Sequence, residues 1–98
     1  MALRITKKQE MFEIKGKIIN KNALAIKRYF DRLLPKSEKI VINLNHVEKI
    51  DAFGVRIFNQ LFENAMKANT VFYIMTKNDN DIMKAFGKVN YIQKNDVS

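Results

Sequence analysis

Residues 40–54 read IVINLNHVEKIDAFG and decide how the rest of the chain is parsed. Ile40, Val41, Ile42 and Leu44 form a short run of buried-type residues, the pattern of a strand buried on both sides. Asn45 to Lys49 then read as a polar loop, closed by Ile50-Asp51-Ala52-Phe53-Gly54. An amphipathic helix follows at once, with Ile57, Phe58, Leu61, Phe62 and Ala65 on its apolar stripe out to about Ala68. A strand that feeds directly into a helix N-terminus is the kind of junction where α/β proteins place binding and regulation. Asp51 suits the cap of that helix, and it also suits a polar contact at the centre of a partner surface. Gly54 suits a special backbone conformation or a close approach that a side chain would block.

Upstream, Leu3 to Lys7 alternates apolar and polar. After a turn at Lys8-Gln9-Glu10, Met11 to Ile18 alternates again, with Phe12, Ile14, Gly16 and Ile18 facing one way. The pair predicts an antiparallel hairpin with one wet face. Asn20 and Asn22 are candidate N-caps for a helix carrying Ala23, Ile26, Phe30, Leu33 and Leu34, which Pro35 ends. Downstream, Val71 to Met75 predicts a strand. A short helix around Ile82, Ala85 and Phe86, stopped by Gly87, comes next, then a brief edge strand at Val89–Ile92 and a frayed tail from Gln93. The order is β-β-α-β-α-β-α with a final strand. It predicts one α/β domain over residues 1–98, its core at about 3–92, with a four- to five-stranded mixed sheet and about three helices packed on it.

Composition narrows the function. Ninety-eight residues suffice for one domain, and no cysteine is present, which excludes disulfides and thiolate metal sites. No apolar run approaches the ~20 residues of a membrane span, and the N-terminus lacks a signal-peptide core, so a soluble cytoplasmic protein is expected. The net charge of +8 is uneven: residues 1–50 hold twelve Lys/Arg against five Asp/Glu, and residues 51–98 hold six against five. Solvated surface lysines are the expected reading; a polyanion partner, with Phe12 or Tyr29 as a base-stacking platform, is the competing one. His46, the only histidine, has no second His or Cys beside it and reads as a loop or capping residue rather than a metal ligand. Asp79 and Asp81 lack the Gly and distal Glu of a Ca²⁺ loop. Ser37 and Ser98 lie far in sequence from Asp51, and three glycines make no phosphate loop. No enzyme, cofactor or metal is expected.

The Phe12-Glu-Ile-Lys-Gly16 strand, the apolar strand followed by Asn45-His46-Val47, the Ile50-Asp51-x-x-Gly54 loop and the later Val71–Met75 strand together resemble the STAS domain of bacterial anti-sigma-factor antagonists. The resemblance covers nearly the whole chain. It implies a non-enzymatic protein–protein interaction module whose partner is an anti-sigma factor or serine-kinase-like regulator. It places the partner surface at Asn20, Asn45, Asp51, Ala52, Phe53, Gly54 and Arg56. In that family the residue after the Asp is a phosphorylatable Ser or Thr. Here it is Ala52, and the next position, often a hydroxyl residue, is Phe53, so the usual switch is absent. Phe53 reads either as core or as an exposed aromatic anchor. The family also often has a polar or acidic residue three positions past the glycine of the second strand, where this chain has Ile19 and then Asn20. STAS domains also serve as assembly subunits of anion transporters and phospholipid-transport ABC complexes, the alternative function; direct nucleic-acid binding is a third.

Overall fold

The computed structural model describes residues 3–9, 11–76, 92 and 93. Their elements run β1 (Arg4–Lys8), β2 (Met11–Ile18), α1 (Asn22–Leu33), a 3₁₀ turn (Leu34–Lys36), β3 (Lys39–Ile50), α2 (Ala52–Ala68), β4 (Val71–Thr76) and β5 (Ile92–Gln93). The sheet has the order β1-β2-β3-β4-β5, with β1 antiparallel to β2 and every other neighbour parallel. The mixed α/β sheet expected from the sequence is therefore present, with β3 at its centre. The short helix expected around Ile82–Phe86 lies outside the described residues. Of the last strand, Ile92 falls where it was expected. Gln93, expected to begin a frayed tail, instead pairs with Thr76 in β5.

Alternation sets the two sheet faces. Phe12, Ile14 and Ile18 of β2, Ile40, Ile42 and Leu44 of β3, and Phe72 and Ile74 of β4 point into one core. Ala23, Ile26 and Phe30 of α1 and Ile57, Phe58, Leu61, Phe62 and Ala65 of α2 fill the other side of it. Edge-to-face ring contacts join Phe12 to Phe30 (5.1 Å between centroids) and Phe62 to Phe72 (5.1 Å). Phe12 is buried in this core and offers no base-stacking platform. The two helices are also tied by Asp31, which accepts from Lys27 (2.6 Å) and from Asn64 (3.0 Å).

β3 corrects the sequence reading. The polar stretch Asn45–Lys49 is strand, not loop. Its pairing with β2 slips twice: Glu13 faces Asn43 but Lys15 faces His46, and Gly16 faces Val47 but Lys17 faces Lys49. Each slip inserts one extra residue into β3, a bulge that turns the strand so that the next apolar side chain points inward again. Leu44, Val47 and Ile50 thus come three apart instead of two, which hides a strand from a period-two reading. Gly16, opposite Val47, has φ 108°, a conformation open to glycine and strained for most other residues. His46 accordingly sits in β3, its Nε2 3.2 Å from Glu13 Oε2, rather than in a loop or cap.

Candidate functional site

The C-terminal ends of β2 and β3 deliver two turns to the same place. After β2, Asn20 adopts a left-handed conformation (φ 51°) before α1 begins. Neither Asn20 nor Asn22 caps α1 as expected; Lys21 occupies that position and contributes no side-chain hydrogen bond. Asn22 instead braces the turn as the first residue of the helix. Its Oδ1 accepts from Ile19 N–H (2.8 Å) and its Nδ2 donates to the Lys17 carbonyl (2.7 Å).

After β3, Asp51 is extended and caps α2, with Oδ1 accepting from Gly54 N–H at 2.8 Å. Such a cap contributes about 1 kcal/mol. Its second oxygen does something the sequence does not reveal: Oδ2 accepts from Asn20 N–H at 2.9 Å, thirty-one residues away. The Asp51 N–H in turn donates to the Ile18 carbonyl (3.1 Å). One residue therefore fastens both turns together. The Asn20 and Gly54 N–H groups stabilise the ionised carboxylate and hold its pKa below the ordinary value, with a smaller contribution from nearby Lys49.

Gly54 is buried where the first turn of α2 presses on the strand ends. A Cβ there would lie 2.8 Å from Ile50 Cγ1, 2.9 Å from Ile18 Cγ2 and 3.1 Å from the Ile18 carbonyl oxygen. Close approach, not an unusual φ, is what the position demands. Ala52 and Arg56, one helical turn apart, are exposed on the outer side of that turn. Phe53 takes neither of its two expected positions fully. It is half-buried against the core, and it also forms a wall of an open depression lined by Ile19, Asn20, Lys21 and Asn22.

The structure thus brings Asn20, Asp51, Ala52, Phe53, Gly54 and Arg56 to one end of the sheet. Asn45 lies apart, six residues back along β3, or roughly 20 Å. Its N–H donates to Asn43 Oδ1 (2.8 Å), and its own Oδ1 is buried without a hydrogen-bond partner among the described residues. Of the other residues that line the depression, Asn22 stood out in the sequence only as a cap candidate and Ile19 only as a departure from the family pattern, and Lys21 carried no signal of its own. Among the described residues no cluster of His, Cys, Asp or Glu could hold a metal ion, and no helix is long and apolar enough to cross a membrane. Chemically the site offers a recognition surface: an apolar hollow, a fixed carboxylate and exposed backbone at the start of a helix.

Two solved structures share this architecture. The anti-sigma factor antagonist SpoIIAA in its unphosphorylated form superposes with a TM-score of 0.70 at 12% identity, over 94% of this chain and 86% of that one. An anti-sigma factor antagonist from Mycobacterium paratuberculosis gives 0.68 at 19% identity, over 97% and 88%. At such identities the likeness shows the fold. No curated protein sequence matches significantly. The family match spans residues 2–94, and with it the chain belongs to the STAS domain family.

Proposed function

We propose that this domain is a non-enzymatic interaction module of the anti-sigma factor antagonist type. It docks an anti-sigma factor or kinase-like regulator through the surface around Asp51 and works without a phosphoserine switch. The observation that carries the reading is the Asp51 carboxylate, which ties the two turns into one rigid platform beside exposed Ala52. The names of the two structural neighbours supply the class of partner. A side chain at position 52 stands free of the fold, so in relatives with a hydroxyl there a phosphate would project straight into a docked partner. Ala52 has nothing to phosphorylate, and the platform stays permanently in its binding form.

The test is capture on the tagged protein from its native cells, with wild type set against Ala52→Glu. The variant puts a negative charge at an exposed helix start and leaves the Asp51 cap intact. An anti-sigma factor or kinase-like ATPase that binds wild type and is lost from the variant is expected. Ala52→Ser should then be phosphorylated by that partner and released. A transporter or ABC-complex subunit held through the same surface would make the domain an assembly part instead. Capture indifferent to position 52 would remove this surface from the interaction altogether.

A further inference from the structure

Cations gather around the surface at Asp51. Lys17 and Lys49 are register partners on adjacent strands, both exposed, at the rim of the Asp51 platform. Like charges placed directly opposite in a sheet destabilise it. Neither lysine, nor Lys21 on the depression wall, nor Arg56 on the first turns of α2, forms an ion pair among the described residues. The acidic residues on the same segments are Glu48 and Asp51, and the Asp51 carboxylate is already engaged by two backbone N–H groups. Lys21 itself lines an apolar hollow walled by Ile19 and Phe53, Lys17 and Lys49 stand one residue before the ends of the two strands that lead to it, and Arg56 is exposed one turn into α2.

Resting on the docking role proposed above, we infer that the partner presents an apolar side chain flanked by carboxylates, a short acidic segment of a protein. The apolar residue fills the hollow, and the carboxylates pair with Lys17, Lys21, Lys49 and Arg56. A protein segment fits better than a nucleic acid because the hollow offers one half-buried ring, Phe53, and of the two rings the sequence offers as stacking platforms, Phe12 is buried in the core. The unrelieved Lys17–Lys49 repulsion in the free domain is then relieved on binding.

The experiment is an amide chemical-shift titration of the full chain with two short peptides sharing a Leu-Phe centre, one flanked by glutamates and one by lysines. A single-stranded oligonucleotide serves as a third probe. The acidic peptide is expected to shift Asn20, Lys21, Phe53 and Arg56 saturably, and to weaken as salt rises from about 50 to about 300 mM. Lys49→Glu should cut its affinity about tenfold or more, while the melting temperature changes little, because the new attraction to Lys17 offsets the lost attraction between Lys49 and Asp51. Equal shifts with the basic peptide, no shifts at these amides with either peptide, or tighter binding of the oligonucleotide there would each overturn the inference. If a captured regulator is lost from Ala52→Glu but indifferent to salt and to Lys49→Glu, the docking surface stands and the acidic partner falls. If the acidic peptide binds as expected and no regulator is captured, the charge assignment stands and the signalling role falls.

Discussion

At the N-terminal ends of the parallel strands β2, β3 and β4 the pairing is regular and the packing aromatic; at the C-terminal ends of β2 and β3 the pairing slips twice and cations face each other. The first region interlocks Phe12, Phe30, Phe62 and Phe72 through edge-to-face contacts. It closes over Thr70, whose buried hydroxyl lies 2.6 Å from the Leu34 carbonyl and 2.9 Å from that of Ser37 and donates to one at a time. The second region holds the positive-φ residues Gly16 and Asn20, the steric pinch at Gly54 and the opposed Lys17 and Lys49. The first end satisfies its buried polar group, Thr70, internally. The other keeps surface charge unpaired and spends a carboxylate on fixing two turns. That division is what the proposed docking role asks of the second end, since a surface that satisfied all its own groups would have little to offer a partner.

The largest expected effect tests the stabilising end. Phe30 is fully buried and touches Phe12, Tyr29 and Phe72. Phe30→Ala should destabilise by about 3–5 kcal/mol, read from urea unfolding, and leave partner affinity intact in whatever fraction remains folded. Thr70→Val keeps the shape and removes the hydroxyl; the Leu34 carbonyl still accepts from Ser37 N–H (3.3 Å), but the bond that Thr70 shares between the Leu34 and Ser37 carbonyls is lost, and a loss of about 1–3 kcal/mol is expected. If either variant altered partner affinity of the folded protein, the two ends would be coupled and the division would fail.

How legible each end was follows from its regularity. The bounds of β2, the apolar stripe of α2 and the stop at Pro35 were all visible, because undisturbed strands and helices keep periods of 2 and 3.6. The second half of β3 was not visible. Its bulges space Leu44, Val47 and Ile50 by three, and the residues between them are polar. The Asp51 cap could be read locally, whereas its bond to Asn20 spans thirty-one residues and leaves no pattern in the chain. Asparagine favours caps, which makes Asn20 a cap candidate in the sequence; it favours left-handed turns for a related reason, and the fold uses the second property. The depression was missed because its walls come from two separate turns.

A middle-sized effect probes the seam between the two turns. Gly54→Ala forces a methyl to within 3 Å of Ile50 and Ile18 side chains and against the Ile18 carbonyl. The isoleucine branches can shift, but the carbonyl belongs to β2, so α2 must lift away. A cost of about 1–3 kcal/mol is expected, and, unlike Phe30→Ala, it should come with weakened partner binding. Amide shifts at Asn20 and Asp51 would report the movement. Full affinity in Gly54→Ala would mean that the platform tolerates separation of its turns.

The smallest effect is the most specific, because pH selects one side chain. Asp51 has its folded-state pKa lowered by the N–H groups of Asn20 and Gly54. The stabilisation it contributes is therefore fully present above the unfolded-state value of about 4 and is lost as pH falls through the lower folded-state value. Asp51→Asn keeps one acceptor oxygen, loses the charge and cannot serve both N–H groups as a carboxylate does. At neutral pH it should be less stable by about 1 kcal/mol. On acidification the wild type should lose this increment while the variant does not, so the two unfolding midpoints converge. Other carboxylates titrate in both proteins and cancel in the difference, which isolates Asp51. A constant gap down to low pH would mean that the seam is held by the shape of residue 51 rather than by its charge, and the contrast between a satisfied end and an electrostatically fixed one would then rest on the lysines alone.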